Sequence, residues 1–415
     1  MMARDTCTDT CTDTCTDTCT DTCTKAPRNP ISRRRNCGKG GRGFGLVELM
    51  IALALGLVII LGITTLFVDS SRTLGDISRA GRQLENSLFA LDMLAGELAL
   101  VGYWGEADYP VVADDPTFGP LRASETDGVT VAGFPMPPGV CVGTGGSGFD
   151  PRVELGWAME YPLMAGLGTE LGAALSSSAC SGGSASTPNA TEEFIVIRRA
   201  STCATGSSAF AADNNCPEIG DFFHLQANGC YDPNENLSGG ELKFHRVTEA
   251  TAENLLDYRG FACGSETAPI YRYVARIYYV NQQDQLIRLQ LEESGNYESQ
   301  VLAEGVEALR FEWLIDRSGD GDYDVIHSVA QSNQDSNAQP SSNPQWPLAA
   351  RNVDWQNVVG AKIWMIVRSG TSQPGYTDAN VYNLPGHAWS NDQPGYTRLL
   401  RSRTVDLVNI AGRRR

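Results

Sequence analysis

The feature that most constrains this chain is the stretch GRGFGLVELMIALALGLVIILGITTLFV, Gly41 to Val68, in which Leu49 to Val68 gives twenty consecutive residues without a charge. Twenty apolar residues in an α-helix cover about 30 Å, the thickness of the hydrocarbon layer of a bilayer, so the run is predicted to span a membrane. Glu48 stands at its start. A carboxylate at a helix centre in lipid costs roughly 2.5–3.5 kcal/mol, so its place there calls for a partner. The segment after it, LGITTLFVDSSR, has no small-residue cleavage site of the secretory kind, and the apolar run is predicted to be retained.

Charge is divided unevenly about this run. Arg4, Lys25, Arg28, Arg33, Arg34, Arg35, Lys39 and Arg42 precede it against five aspartates, giving +3 for residues 1–43, while the whole chain carries −17. The cluster RRRNCGKGGRG places residues 1–43 in the cytoplasm and everything after about Asp69 outside. The remainder, at −20, is too acidic for broad phosphate-backbone contact, and direct nucleic-acid binding is not expected.

Twelve cysteines fall into two groups. Five lie in perfect copies of DTCT between Asp5 and Thr24, which reads as low-complexity leader rather than a thiolate metal site, since Thr and Asp are poor helix formers. Cys37 follows alone, and Cys141, Cys180, Cys203, Cys216, Cys230 and Cys263 are dispersed, as suits an oxidising compartment. Six cysteines pair in fifteen ways; the short loop between Cys203 and Cys216 is the favoured disulfide, with buried free thiols as the alternative.

The basic leader, Gly43, and then Phe44-Gly-Leu-Val-Glu48-Leu-Met-Ile-Ala-Leu together resemble the class III signal of type IV pilins and type II secretion pseudopilins. The resemblance implies cleavage after Gly43 by a membrane-embedded prepilin peptidase and methylation of the new terminus, Phe44. It also implies the partner that Glu48 lacks. Cleavage frees an ammonium on Phe44, one helical turn from Glu48, and in low dielectric the two charges attract strongly. In the family, the corresponding glutamate meets the terminus of a neighbouring subunit, making Glu48 a subunit-docking residue. An ordinary signal anchor with a snorkelling glutamate is the plainer alternative.

Beyond Val68 the helix is predicted to continue to Leu100. Ile77, Gly81, Leu84, Leu88, Leu91, Ala95 and Leu98 recur at helical spacing, with Arg79, Arg82, Glu85, Asp92 and Glu97 elsewhere. From about Val101 short β-branched or aromatic runs alternate with Gly, Pro, Asn and Ser clusters: EEFIVIRRA, DFFHLQ, ELKFHRV, IYRYVARIYYV, QLIRLQLEE, VEALRFEWLID, VVGAKIWMIVRSG and RTVDLVNI. The expected fold is α+β and pilin-like, a long N-terminal helix packed on an antiparallel β-sheet head with long loops. A hairpin is expected to turn near Asn281 to Asp284, with polar surface loops at residues 176–190 and 331–349. The expected organisation is a removed leader at 1–43, a transmembrane half-helix at 44–68, an amphipathic half at 69–100 and an extracytoplasmic head at 101–415.

Four segments, ENSLFALDMLAGELALVGYWG, LAEGVEALRFEWLIDRSGDGDYD, VVGAKIWMIVRS and RTVDLVNIAGRRR, look like the PilW family of minor pilins; the cysteine-bearing middle does not match. Many major pilins carry a proline midway along the membrane half, whereas here Gly56 and Gly62 are the flexible points. The resemblance implies a low-abundance subunit that primes type IV pilus assembly at the inner membrane and sits near the pilus tip. Its implied partners are prepilin peptidase, other minor pilins, the major pilin, the inner-membrane assembly platform and a tip adhesin. The J-type pseudopilin of type II secretion and a membrane-tethered periplasmic enzyme or binding protein are the alternatives.

Asp316, Ser318, Asp320, Asp322 and Asp324 in DRSGDGDYD match the odd positions of a calcium loop, with Gly321 at the sharp turn, but His327 occupies the position of the bidentate glutamate. Calcium is the one cofactor this spacing suggests, and an acidic turn between strands explains it equally well. Catalysis finds little support: the four histidines form no H-E-x-x-H and there is no G-x-S-x-G elbow. GKGGRG has dinucleotide-motif spacing at Gly38, Gly40 and Gly43, yet a membrane helix follows it and no strand precedes it. The pentapeptide QPGYT occurs twice, from Gln373 and from Gln393, and reads as turn chemistry, with recognition through Tyr376 and Tyr396 the less favoured reading.

Overall fold

The computed structural model describes residues 45–105, 140–141, 161–176, 185–205, 220, 222–227, 230, 242–247, 259–260, 263–265, 267–292, 296–329, 354–389 and 393–411. Two units divide the chain, one up to Val68 and one from Asp69 onward. Helix α1, Leu46–Leu100, contributes to both. Its sequence is rich in Leu, Ala and Ile and free of proline, so nothing interrupts the backbone ladder. It ends where Gly102 takes φ +73°, a left-handed conformation that glycine adopts without strain. The freed amides are reused at once: Gly102 N–H donates to Arg198 O and Tyr103 N–H to Leu100 O, both at 3.1 Å.

The second unit is a head of two antiparallel sheets. The larger contains β1 (Leu163–Leu167), β2 (Glu193–Thr205), β3 (Phe222–Ala227), β4 (Leu242–Val247), β5 (Ile270–Val280), β6 (Gln285–Leu291) and β7 (Tyr297–Glu304). Its path is β1-β2-β5-β3-β4, while β6 joins β5 to β7. One edge of β5 therefore serves two strands, β3 opposite Ile270–Arg272 and β6 opposite Arg276–Val280. A short helix, α2 (Gly168–Ser176), follows β1.

The smaller sheet has the order β13-β10-β8-β9, built from β8 (Val306–Ile315), β9 (Val325–His327), β10 (Val358–Arg368) and β13 (Arg398–Asp406). Between β10 and β13 lies a separate two-stranded hairpin, β11 (Tyr382–Leu384) with β12 (His387–Trp389), and α3 (Val408–Ala411) closes the described chain. The β5–β6 hairpin pairs Val280 with Leu286, so the turn falls at the expected residues. Asn281 Oδ1 fixes it by accepting from Gln283 N–H at 3.0 Å and Gln285 N–H at 2.9 Å.

A single main core joins α1 to both sheets. Ala90, Leu91, Leu94, Ala95 and Leu98 pack with Ile195 and Ile197 of β2, Ile277 of β5, Phe311 and Trp313 of β8, and Ile363 and Met365 of β10. Phe311 stacks on Trp313 with centroids 5.2 Å apart, and Trp355 meets Trp313 edge-on at 5.1 Å. Polar ties fix the helix rotation. Glu97 is held between Arg199 of β2 and Arg276 of β5, and Asn409 Nδ2 donates to Ala99 O at 3.2 Å.

The sheets are also joined by charge. Strand β9 pairs with β8 only opposite Trp313–Ile315, leaving earlier β8 amides to find acceptors elsewhere. Glu192 Oε2 accepts from Leu309 N–H at 2.8 Å and Glu193 Oε2 from Phe311 N–H at 3.0 Å. Glu192 is at the same time the partner of the buried Arg310, at 2.6 Å.

Candidate functional site

At the amino-terminal end, Gly45 O accepts from Glu48 N–H at 3.0 Å and Leu49 N–H at 3.2 Å, starting the first turn of α1. Glu48 is the acidic residue of that turn and is exposed. A carboxylate there lies among the unsatisfied amides at the positive dipole end of the helix. Gly43 and Phe44 lie outside the described residues. Leu46, Leu49, Ile51, Leu53, Leu57, Ile60, Leu66 and Phe67 are all more than half exposed, so among the described residues this end of α1 finds nothing on which to bury its apolar surface. By length and composition α1 is able to cross a membrane.

In the head, the acidic loop after β8 is closed by its own carboxylates. Asp316, buried, accepts from Gly319 N–H at 2.6 Å, Gly321 N–H at 3.0 Å and Ser318 Oγ at 3.2 Å. Asp324 Oδ2 accepts from Arg317 N–H and Ser318 N–H at 2.8 Å each, and Asp320 Oδ1 from Asp322 N–H at 3.0 Å. Arg317 turns outward to Asp354 at 2.7 Å, which raises its pKa. Among the described residues no group of three or more His, Cys, Asp or Glu side chains is placed to hold a metal. Asp316, Ser318, Asp320, Asp322 and Asp324 lie in one acidic turn in which the carboxylates of Asp316, Asp320 and Asp324 serve backbone amides, and calcium is not assigned to it.

The cysteines are disulfide-bonded where the chain is described. Cys230 and Cys263 form one bridge, with Cα atoms 4.8 Å apart, a pair that spacing along the sequence did not single out. Cys141 and Cys203 are also in disulfides. Cys216, the partner expected for Cys203, lies outside the described residues.

Two histidines have described side chains. His327 Nε2 lies 3.3 Å from Arg317 Nη2, and burial lowers its pKa, helped by that cation. His224 is buried with Nδ1 2.9 Å from Phe222 O. Tyr376 and Tyr396, the aromatic residues of the two QPGYT copies, are half-buried, and Arg368 lies 4.3 Å from the Tyr396 ring centroid.

Comparison with known proteins bears on both ends of the chain. The model of the prokaryotic N-terminal methylation motif matches residues 39–64, and the model of the type IV pilus-assembly protein W family, PilW, matches residues 277–409. The chain is thus similar to methylated type IV pilins at its amino-terminal end and to the PilW family over its carboxy-terminal region. The methylation motif takes in Gly43, Phe44 and Glu48, and the PilW match runs from the end of β5 to α3, taking in the acidic loop and both QPGYT copies. A solved type IV-like pilin from Thermus thermophilus is 15% identical, with 54% of this chain and 80% of that one covered at a TM-score of 0.24. No curated protein matches the chain.

On α1 the expected apolar stripe is rotated in its first half. The residues that bury are Gln83, Ser87, Ala90, Leu91, Leu94, Ala95 and Leu98, while Ile77, Leu84 and Leu88 stay exposed with Leu74 and Phe89. Periodicity places apolar side chains on a face without telling whether that face meets its own head. The signal that was available is the pair of polar residues Gln83 and Ser87, in phase with Ala90 and Leu94.

Proposed function

We propose that the chain is a minor pilin that supports type IV pilus assembly and enters the pilus, near its tip. Prepilin peptidase would cut after Gly43 and leave Phe44 methylated, with 1–43 lost, 44–68 in the inner membrane, 69–100 the amphipathic half of the helix and 101–415 the extracytoplasmic head. The observation that carries the reading is Glu48. It is the one charge in a helical segment whose apolar side chains are exposed throughout, inside the stretch matched by the methylation motif. A lone carboxylate in lipid is costly, and the ammonium of a neighbouring subunit offsets that cost only when the subunits are aligned.

The exposed residues Leu74, Ile77, Leu84, Leu88 and Phe89 support the same reading, since they extend apolar surface beyond the span and suit contacts with helices of other pilins. The assembly platform, the major pilin and a tip adhesin complete the partners this role requires. The function is structural rather than catalytic.

The test begins with mass spectrometry of the mature amino terminus, expected to be methylated Phe44. Glu48→Ala should then be processed normally yet be lost from sheared pili. Incorporation of Glu48→Ala at the wild-type level would favour a simple membrane tether, and an uncleaved amino terminus would sink the pilin reading.

A further inference from the structure

Between β10 and β13 the chain makes an excursion that begins and ends on one pentapeptide, QPGYT at 373–377 and at 393–397. The two copies lie against each other. Gln373 N–H donates to Gly395 O at 2.6 Å, Gly395 N–H to Tyr376 O at 2.9 Å, and Tyr376 N–H closes its own turn on Gln373 O at 3.2 Å. Both central glycines have positive φ, +81° at Gly375 and +95° at Gly395, and a Cβ on Gly395 would stand 3.1 Å from Ser372 Cβ.

The second copy is fixed to the sheet. Ser369 N–H donates to Thr397 O at 2.8 Å, Arg398 Nη1 to Tyr396 O at 3.0 Å, and the Arg368 guanidinium covers the Tyr396 ring. Each copy then reaches α1 separately. Gln373 Nε2 donates to Asp76 Oδ1 at 3.2 Å. Gln83 Nε2 donates to Thr397 O at 3.1 Å and to Val367 O at 2.6 Å. Asp76 and Gln83 are two helical turns apart, on one face.

We propose that the paired QPGYT turns are a clasp that holds Asp76–Gln83 of α1 to the head and can release it without opening the core. The contacts divide in the way a separable grip requires. From Ala90 onward the helix is held by apolar burial. Between Asp69 and Phe89, among the described residues, the buried side chains are Gln83 and Ser87, both polar; Ser87 Oγ donates back to Leu84 O within the helix, so the hydrogen bonds of Gln83 and of Asp76 hold this stretch to the head. Released, the helix would leave the head at about Ser87; clasped, it leaves before Asp76. The clasp is internal to the chain and stands whether or not the chain enters a filament.

Hydrogen–deuterium exchange of the full-length chain in detergent micelles tests this, read separately on peptides from α1, β5 and β8. Gln83→Ala removes the grip directly, and Gly395→Ala unseats the two turns from one another. Each is expected to speed exchange in the stretch from Arg72 to Leu84 by roughly tenfold, the effect of losing one or two hydrogen bonds, with β5 and β8 unchanged. Unchanged exchange in that stretch in both variants overturns the clasp. So does equal acceleration in β5 and β8, which would make the contact part of the global core. If neither variant folds, Asp76→Ala, Gln373→Ala and their double variant decide instead: all three must speed exchange alike, and independent, additive effects overturn the proposal.

Discussion

Two adjacent glutamates, Glu192 and Glu193, occupy positions that would suit apolar residues by burial alone, yet they serve as acceptors for β8 amides that no strand reaches. Removing either would leave a buried N–H without a partner, a cost of about 1–3 kcal/mol. Nothing in EEFIVIRRA distinguishes these glutamates from solvated ones, because their partners are more than a hundred residues away. Glu48 differs: its local context alone, a single charge in an apolar run, makes it legible. His224 is a third case. Its ring faces Arg272 of β5, itself bridged to Glu292 at 3.1 Å, and by register it stands opposite His245 of β4. Burial, with the Arg272 cation adding to it, lowers its pKa from 6.5 to about 4. The folded state thus favours the neutral ring, while the unfolded chain binds a proton below 6.5. Stability from this residue is complete above pH 6.5 and is lost as pH falls toward 4, by about 2–3 kcal/mol between pH 7.5 and 4.5. Urea unfolding of the full-length chain at pH 7.5 and 4.5 checks this. The acid loss should be smaller in His224→Asn by that amount, and an equal loss in both proteins would show that other groups carry the acid sensitivity.

Among the elements, those with local chemistry were legible. The β5–β6 hairpin was found because two β-rich runs flank a polar turn, and Asp284 at φ +57° is a residue type that tolerates that conformation. Strand β7 was not found, since Glu298, Ser299, Gln300 and Val301 are all exposed and the alternation that marks a half-buried strand is missing. Strand β13 was placed too late: it begins at Arg398, whose buried guanidinium pairs with Glu307 at 2.5 Å, and the expected strand residues Val408 to Ile410 belong to α3. In α1 the expected stripe is right at Leu91, Ala95 and Leu98 and rotated before them, because Gln83 turns a polar side chain inward to two carbonyls. This gives a sharp contrast between two leucines about one and two-thirds turns apart. Leu94→Ala, fully buried, should cost about 2–5 kcal/mol. Leu88→Ala, 46% exposed, should change stability by less than about 0.5 kcal/mol. Urea midpoints of the two variants decide whether the buried face is the one described; similar losses would mean that Leu88 also meets the head.

At the scale of the whole molecule, the ends of the chain were readable and so were β2, β3 and β4 in the middle, but the cysteine pairing there was not. The methylation motif and the PilW match lie at the two ends, where charge, length and periodicity act locally. The region from Val101 to Ala268 holds the six dispersed cysteines, and which of them meet depends on how distant loops are brought together, which spacing does not encode. The bridge found, Cys230 to Cys263, links residues 33 apart across segments with little apolar sequence to order them. Closing such a loop restricts the unfolded chain and contributes about 2–4 kcal/mol. It also ties stability to compartment, because the bond forms where thiols are oxidised. If the head lies on the oxidising side of the membrane, alkylation of the full-length chain in isolated membranes should leave Cys230 and Cys263 unmodified until a reductant is added. A Cys230→Ser, Cys263→Ser double variant should then lose about 2–4 kcal/mol in urea unfolding. Free alkylation of both thiols without reductant would place the head in a reducing compartment, and the orientation drawn from the basic residues before Gly43 would have to be reversed.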